Sequence, residues 1–236
     1  IMLILWGPSY AMAQAPKPKH PTSKRAQEVA GRLRPVLEKA LAVRGLRMGD
    51  PVYLRIFKES DELELWVLDH KSKNYHLFRT YEIAAYSGKA GPKLQEGDRQ
   101  APEGFYYVPA SRLNPNSRFH LAFDLGYPNT YDQAHDRTGS FLMVHGSNVS
   151  IGCFAMTDAR IEEIYTLVDA ALRSGQHFVR VHCFPFKLTE ARMAKADVQR
   201  SQWLPFWQNL KQGYDWFESR KLPPEVKVRA KRYVFE

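Results

Sequence analysis

The chain has 236 residues, of which 44% are apolar, 25% charged and 13% aromatic, and its formal net charge is +9. This length and composition are typical of one globular domain with extensions, and they exclude a largely disordered chain. A basic protein can bind nucleic acid, but the sequence contains no nucleic-acid-binding motif, so we predict no nucleic-acid partner.

The first residues have the pattern of an export signal. An apolar run from Ile1 ends in Ala11-Met12-Ala13, a small-residue cleavage motif. We therefore interpret residues 1–13 as the remnant of a signal peptide without its charged start, and the proline-rich residues 14–22 as a linker. A buried strand or a short membrane anchor is the alternative. Export predicts a periplasmic protein, for which the positive charge favours anionic envelope polymers or lipid head groups as partners.

Hydrophobic periodicity predicts an α+β protein in which strands outnumber helices. A glycine-rich loop from Gly88 to Gly104 divides the predicted strands and is long enough to be functional. The first helix contains Pro35, where we expect it to bend or restart. The predicted helices are 23–44, 157–174, 189–196 and 202–220, and the predicted strands are 52–57, 63–68, 75–86, 105–108, 118–125, 140–145, 177–184 and 226–235.

This order of elements divides the chain into three folded parts. Residues 23–49 form an N-terminal helix, and residues 50–185 form a β-rich mixed sheet or sandwich that ends in a helix and a strand. Residues 186–236 are a C-terminal helical extension whose terminal strand could add to a sheet edge.

One nine-residue segment, from His145 to Cys153, carries the residues of a thiol active site. A thiol near neutral pH needs an imidazole to accept its proton, and seven intervening residues allow the two side chains to meet. Gly152 permits a sharp turn, so we expect the amides of Gly152 and Cys153 to face an oxyanion. No acidic residue that could hold the imidazole is near in the sequence, and a backbone carbonyl could hold it instead.

The same segment resembles the motif of the YkuD-type L,D-transpeptidase catalytic domain, a His-Gly followed by Ser-His-Gly-Cys. The stretch from Ser87 to Lys93, followed by Ala101-Pro102-Glu103-Gly104-Phe105, is similar to that family's Gly-Lys and Thr-Pro-x-Gly-x-Phe hairpin. The similarity spans residues 50–185. It implies an L,D-transpeptidase-like fold and the following catalytic positions: Cys153 as nucleophile, His145 as base, and Gly146, Ser150 and Gly152 as further motif residues.

Three features depart from the family pattern and place the chain in a divergent, short-spaced branch. The spacing between His145 and Cys153 is about half of that usual in the family, so a loop that often carries substrate contacts is missing. Ile151 replaces the histidine of Ser-His-Gly-Cys, and Ala155 stands where an arginine or asparagine is usual.

The resemblance implies cysteine-dependent acyl transfer on peptidoglycan stem peptides, through a thioester at the diaminopimelate carbonyl, without a cofactor. An amine would resolve the thioester in transpeptidation, whereas water would resolve it in an amidase or carboxypeptidase reaction. A wall-linked lipoprotein is a further candidate partner. The short active-site segment favours hydrolysis, and a non-catalytic wall-binding module is the alternative from another class. The histidine spacings predict no metal site.

Four further side chains are candidate substrate contacts: Arg137, Arg118, Tyr127 and His120. The two arginines, with Arg99 as a third candidate, could each bind a peptide carboxylate through paired hydrogen bonds. The second cysteine, Cys183, is predicted to be a buried core thiol on the strand 177–184. A disulfide between Cys153 and Cys183 is the alternative in an exported protein.

Overall fold

The computed structural model describes residues 20–199 and 201–236. The predicted signal peptide, 1–13, and all but the last three residues of the predicted linker, 14–22, lie outside these residues. Within the described ranges, no helix is both long and apolar enough to cross a membrane.

The helices include three long amphipathic segments and two shorter ones. They are α1 (Lys24–Ala42), α2 (Thr130–Ala134), α3 (Asp158–Arg173), α4 (Glu190–Val198) and α5 (Leu204–Arg220). Helix α1 begins at its cap, Ser23, whose hydroxyl accepts a hydrogen bond from the Ala26 amide at 3.1 Å. The helix continues through Pro35 without a restart. Pro35 lies on the exposed side, where water can bind the carbonyl that loses its hydrogen bond.

The strands form two sheets and a separate hairpin. They are β1 (Val52–Phe57), β2 (Glu62–Leu68), β3 (Tyr75–Glu82), β4 (Gly104–Pro109), β5 (Leu113–Asn114), β6 (Ala122–Asp124), β7 (Met143–His145), β8 (Phe154–Ala155), β9 (Phe178–Phe184), β10 (Val226–Arg229) and β11 (Arg232–Phe235). The larger sheet has the order β3-β2-β1-β9-β4, and the smaller one has the order β5-β6-β7-β8. The mixed α+β fold class predicted from the sequence is confirmed.

The larger sheet is covered on both faces, which explains why all six residues of β1 are buried. Alternate residues such as Leu54 and Ile56 belong to the main core, while Tyr53 packs in an aromatic cluster with Phe217 of α5. The C-terminal extension therefore forms the second covering layer of this sheet.

Helix α3 connects the two sheets. Its buried face, with Ile161, Ile164 and Val168, contacts β1 and β9 of the larger sheet and β6 and β7 of the smaller one. Helix α1 packs against α3 from the outside. The smaller sheet, which carries the segment from His145 to Cys153, is thereby fixed against the main core.

Four predicted strands differ from the structure by three residues or more, and one of them is the predicted strand 140–145, of which only β7 (Met143–His145) is formed. The predicted strand 226–235 is wrong: it is the hairpin β10–β11, which pairs with itself rather than with a sheet edge. Its turn residues Ala230 and Lys231 both have positive φ, a two-residue turn that reverses the chain. The predicted strand 118–125 is shorter, because His120 also has positive φ and interrupts it. The predicted strand 75–86 ends at Glu82.

Candidate active site

His145 and Cys153 lie on neighbouring parallel strands of the smaller sheet. His145 is the last residue of β7, and Cys153 directly precedes β8, which pairs with β7 in the register Val144 to Phe154. This register brings Cys153 level with Met143, whose amide donates to the cysteine Sγ at 3.4 Å. The strands therefore hold both candidate catalytic side chains on a rigid support.

A tight turn from Ser150 to Cys153 presents the thiol. The Ser150 hydroxyl donates to the Cys153 carbonyl at 2.7 Å and accepts from the Gly152 amide at 3.2 Å. Gly152 has φ of +140°, and a Cβ there would lie 3.3 Å from Leu142, so glycine fits this position best. The expectation that the Gly152 amide faces an oxyanion is wrong, because the Ser150 hydroxyl already binds that amide.

The imidazole of His145 is held in one orientation by a backbone carbonyl, an option that the sequence leaves open. Its Nδ1 lies 2.6 Å from the carbonyl oxygen of Gly146, which can only accept. The proton therefore sits on Nδ1, and Nε2 is left free to act as a base. The ring of Phe119 packs against the imidazole with a centroid distance of 4.7 Å and an angle of 31° between the ring planes.

Gly146 is required because three groups crowd the backbone beside His145. A Cβ at this position would lie 2.7 Å from the Phe119 carbonyl oxygen and 2.6 Å from the Asp158 carboxylate. The Gly146 amide donates to the Phe119 carbonyl at 3.0 Å, and Asp158 accepts from the Ser147 amide at 2.8 Å. Because Gly146 has no side chain, the start of α3 and the loop before β6 can lie close to the backbone of His145 and support it.

Burial keeps both candidate catalytic groups uncharged. It lowers the pKa of His145 below its usual value, against the opposing effect of the Gly146 carbonyl. Burial also raises the pKa of the Cys153 thiol, although the Met143 amide and Lys93 act in the opposite direction. In the described structure the thiol donates to the Phe141 carbonyl at 3.6 Å and makes no hydrogen bond to His145. The resting pair is therefore a neutral thiol and a neutral imidazole.

The two side chains share a cavity of about 770 Å³, large enough for a peptide. One wall comes from the glycine-rich loop, residues 88–104, through Lys93, Glu96, Gly97 and Arg99. The remaining lining residues surround the thiol and its rim: Arg118, Phe119, Gly139, Ser140, Phe141, Leu142, His145, Val149, Ser150, Ile151 and Cys153.

Cationic side chains dominate the charge of this cavity. Arg118 and Arg99 are exposed, and within the described residues neither forms a salt bridge or a side-chain hydrogen bond. Lys93 is buried and pairs with Asp98 at 2.6 Å. Ala155, at the position where the family usually has a longer polar residue, is fully buried beside Ala85. The guanidinium groups of Arg118 and Arg99 can therefore bind an anionic group in this cavity.

Three of the four predicted substrate contacts lie outside the cavity lining. Arg137 is buried in a salt bridge of 2.8 Å with Asp132, and its guanidinium packs over Tyr131. Tyr127 donates to the Lys93 carbonyl at 3.2 Å, so it supports the glycine-rich loop from behind. His120 lies 2.8 Å from the Glu162 carboxylate. Among the four, Arg118 alone lines the cavity.

Several site residues were missed by sequence reasoning. Lys93 was part of the recognised hairpin, but nothing in the sequence indicated that it would line the cavity wall. Phe119 and Met143 act through a ring face and a backbone amide, and neither has a motif that could reveal it. Asp158, the first residue of α3, accepts a hydrogen bond from the Ser147 amide, a contact for which the sequence has no motif.

Cys183 is fully buried on β9, and both cysteines are free thiols. The buried core thiol predicted from the sequence is confirmed. Burial raises the pKa of the Cys183 thiol far above its usual value, so this group is chemically inert in the folded protein.

Known proteins resemble this chain both in structure and in sequence. Among solved structures, the helical cell shape determining protein Pgp2 of Campylobacter jejuni aligns with a TM-score of 0.44 and 19% identity, over 81% of this chain and 80% of that chain. Bd1075 of Bdellovibrio bacteriovorus aligns with a TM-score of 0.42 and 20% identity, over 58% of this chain and 48% of its own.

The sequence comparisons are stronger. YafK of Escherichia coli strain K12, a protein named as a candidate L,D-transpeptidase, is 46% identical over 187 residues, which cover 79% of this chain and 74% of YafK. YafK of Escherichia coli O157:H7 matches with the same identity and coverage. Residues 59–183, just over half of the chain, match the family described as YkuD, the L,D-transpeptidase catalytic domain. The chain therefore belongs to the YkuD L,D-transpeptidase family.

Proposed function

We propose that this protein is a periplasmic cysteine enzyme that transfers an acyl group from peptidoglycan stem peptides. Family membership and the name of the YafK relatives support a role connected with L,D-transpeptidase substrates. The single observation that carries the proposal is the orientation of His145. Its Nδ1 is bound to the Gly146 carbonyl, and its ring shares one cavity with Cys153.

In the proposed mechanism, Nε2 of His145 takes the thiol proton as Sγ of Cys153 attacks the carbonyl carbon at the diaminopimelate position. The C–N bond then breaks, the protonated His145 gives its proton to the departing amine, and a thioester remains on Cys153. Since both groups start uncharged, proton transfer accompanies the attack.

The Cys153 amide is the proposed donor to the oxyanion that forms during the attack. Within the described residues we find no acceptor for it, whereas the neighbouring Gly152 amide is already bound by Ser150. Arg118 and Arg99 are proposed to bind carboxylates of the stem peptide.

The acyl group of the thioester can be transferred to an amine, which is transpeptidation. It can also be transferred to water, which is an amidase or carboxypeptidase reaction. The half-buried Cys153 and the short segment from His145 leave the thioester open to water, which favours the hydrolytic alternative. In that reaction the leaving group is a D-amino acid or a wall-linked lipoprotein. A non-catalytic wall-binding module, using its net charge of +9, remains the alternative from another class.

Mass spectrometry of intact sacculi after incubation with the wild-type protein and with Cys153→Ala tests the proposal. We expect new or released stem-peptide products with the wild type and none with the variant. Equal product formation by both proteins would end the enzyme hypothesis, and binding of sacculi without any product would favour the binding module. Adding an amine acceptor distinguishes transfer from hydrolysis.

A further inference from the structure

The C-terminal extension, residues 186–236, touches the loop that forms one wall of the cavity. Trp203, just before α5, lies directly against Gly91 of the glycine-rich loop: a Cβ at Gly91 would be 2.5 Å from Nε1 of Trp203. Gly91 also has φ of +127°, so its lack of a side chain serves both the turn and this close approach.

A second tryptophan of the extension reaches the loop through a buried carboxylate. Nε1 of Trp207 donates to Oε2 of Glu103 at 2.9 Å, and Glu103 is fully buried at the end of the loop. Oε1 of the same carboxylate accepts from the Gly91 amide at 2.7 Å and from Nζ of Lys58 at 2.9 Å. Glu103 therefore joins the first part of the loop to its last part and to helix α5.

Lys58 completes this network from beneath. Its ammonium group, also buried, donates to the carbonyls of Gly91 at 2.7 Å and Ala101 at 3.1 Å as well as to Glu103. All three ammonium protons thus have acceptors. A buried ion pair adds little net stability, because removing both charges from water is costly, so a network of this kind is better explained by the conformation that it fixes.

The part of the loop held in this way carries the cationic wall of the cavity. Lys93 follows Gly91 by two residues, and Arg99 precedes Ala101 by two. Between these anchors, Asp98 binds Lys93 and accepts from the amides of Leu94, Gln95 and Gln100. Because these hydrogen bonds connect the residues between the two anchors, we expect a shift at Glu103 to move the two cations relative to Cys153.

We propose that the C-terminal extension is a component of the active site, and that Trp207 is a positioning residue which, through Glu103, holds the glycine-rich loop with Lys93 and Arg99 facing Cys153. The extension thereby has two roles: it covers one face of the larger sheet, and it positions the cationic side chains of the substrate cavity. Trp207 touches neither the thiol nor the cavity lining, so its effect is indirect.

The test compares two thiol reagents on the full-length chain. Iodoacetate is anionic and iodoacetamide is neutral. The rate of Cys153 alkylation by iodoacetate divided by the rate with iodoacetamide therefore reports the positive potential of the cavity, whatever reaction the protein catalyses. Cys183 is fully buried and does not compete in the folded protein. We expect Trp207→Phe, which keeps the ring packing and loses the N–H donor, to lower this ratio about two- to fivefold. Arg99→Gln should lower it in the same way.

Trp216→Phe is the matched control, since Trp216 lies on the same helix and its ring packs with Arg220. Its reagent ratio should equal that of the wild type. If Trp207→Phe fails to fold, Trp203→Ala removes a half-buried ring from Gly91 and is expected to lower the ratio too. An unchanged ratio in a folded Trp207 or Trp203 variant, or an equal fall in Trp216→Phe, would overturn the proposal.

The kinetic consequence rests on the proposed function. With stem peptides as substrate, Trp207→Phe should raise KM about three- to tenfold while kcat changes less than about twofold, because binding and not the nucleophile is altered. A fall in kcat at unchanged KM would contradict the positioning role. Absence of turnover in the wild type would count against the proposed function and leave the reagent ratio to decide the inference.

Discussion

At the scale of single residues, the environment of the catalytic pair determines when the proton moves. Burial lowers the pKa of His145 and raises that of Cys153, so near neutral pH the imidazole and the thiol are both uncharged. The Met143 amide, which donates to Sγ, is in place to stabilise the thiolate once the proton has left. In the proposed mechanism the nucleophile is therefore activated during attack on a bound substrate and not before it.

Substitutions of Arg118 and of Arg137, both predicted from the sequence to contact substrate, are expected to have different effects. Arg118→Gln should raise KM for stem peptides about tenfold with unchanged stability, because it removes a charge-assisted contact of about 1.5–3 kcal/mol. Arg137→Gln leaves Asp132 buried without its partner and should reduce the free energy of unfolding by about 3–5 kcal/mol. Steady-state kinetics and urea unfolding separate the two effects, and a KM effect from Arg137 in a stable protein would contradict the assignment.

Gly152→Ala tests the turn that presents the thiol. A positive φ of 140° and the nearby Leu142 side chain force the turn to move, and we expect kcat/KM to fall on the order of 100-fold through misplacement of Cys153. Gly31→Ala in α1 is the matched control, since a Cβ there meets nothing within 4 Å. It should leave activity unchanged and stabilise the helix by about 0.5–1 kcal/mol. Full activity of Gly152→Ala would show that the turn geometry is not required.

At the scale of elements, helix α5 explains why the central strand β1 is buried on both faces. Phe217 is fully buried and lies at a centroid distance of 4.8 Å from Tyr53 of β1 and 4.9 Å from Trp66 of β2. Arg55 of β1 is buried beneath the same helix and pairs with Glu64 and Glu218. The extension is thus part of the folded core.

Phe217→Ala should therefore reduce the free energy of unfolding by about 3–5 kcal/mol, the usual cost of deleting a buried phenylalanine ring. Val198→Ala, at a position that is 83% exposed on α4, is the control and should change stability by less than about 0.5 kcal/mol. Chemical denaturation monitored by circular dichroism measures both. If Phe217→Ala behaved like the control, the extension would not be integral to the core.

Elements with a strong periodic pattern could be predicted from the sequence, and elements set by turn geometry could not. Helix α3 and strand β1 match their predicted ranges within one residue, because their apolar spacing alone specifies a buried face. The hairpin β10–β11 was missed since its turn, Ala230-Lys231, contains no glycine or asparagine. Helix α2 had a readable signal in its capping box, Asn129 with Asp132, that was overlooked.

Only the part of the candidate site that has a sequence motif could be predicted. Cys153 and His145 are identified by their flanking glycines, but the sequence leaves a backbone carbonyl only as one option for holding the imidazole, and the structure identifies it as that of Gly146. The cationic wall could not be predicted, because Arg99 and Arg118 are brought to the thiol by the loop fold and carry no motif. Arg137 is closer to Cys153 in the sequence than either of these arginines, yet its guanidinium is bound by Asp132.

At the scale of the whole molecule, a buried histidine connects stability to pH. His182 on β9 is fully buried, and its Nδ1 lies 2.7 Å from the Tyr53 hydroxyl. Burial, together with Arg180 and Arg55, lowers the pKa of His182 well below its usual value. Below about pH 6.5 the unfolded chain binds a proton at this residue that the folded protein does not bind. Stability should consequently fall as the pH falls below that value.

Urea unfolding at pH 7 and pH 5 measures this dependence. We expect the free energy of unfolding to decrease by up to about 1.4 kcal/mol per pH unit below pH 6.5 from His182, and the lowered pKa of His145 adds a loss of the same sign. His182→Gln should flatten the dependence, while His177→Gln, at an exposed position, should not. Equal slopes in the two variants would show that His182 is not responsible.

The central claim is that Cys153 carries the acyl group as a thioester. Intact-protein mass spectrometry after brief incubation with stem-peptide muropeptides and acid quenching tests it directly. We expect an added mass equal to the acyl part of the peptide, located on Cys153, absent in Cys153→Ala and strongly reduced in His145→Gln. Product formation by Cys153→Ala would contradict it. So would product formation by the wild type in which the acyl group is never found on Cys153 and is trapped on another residue instead.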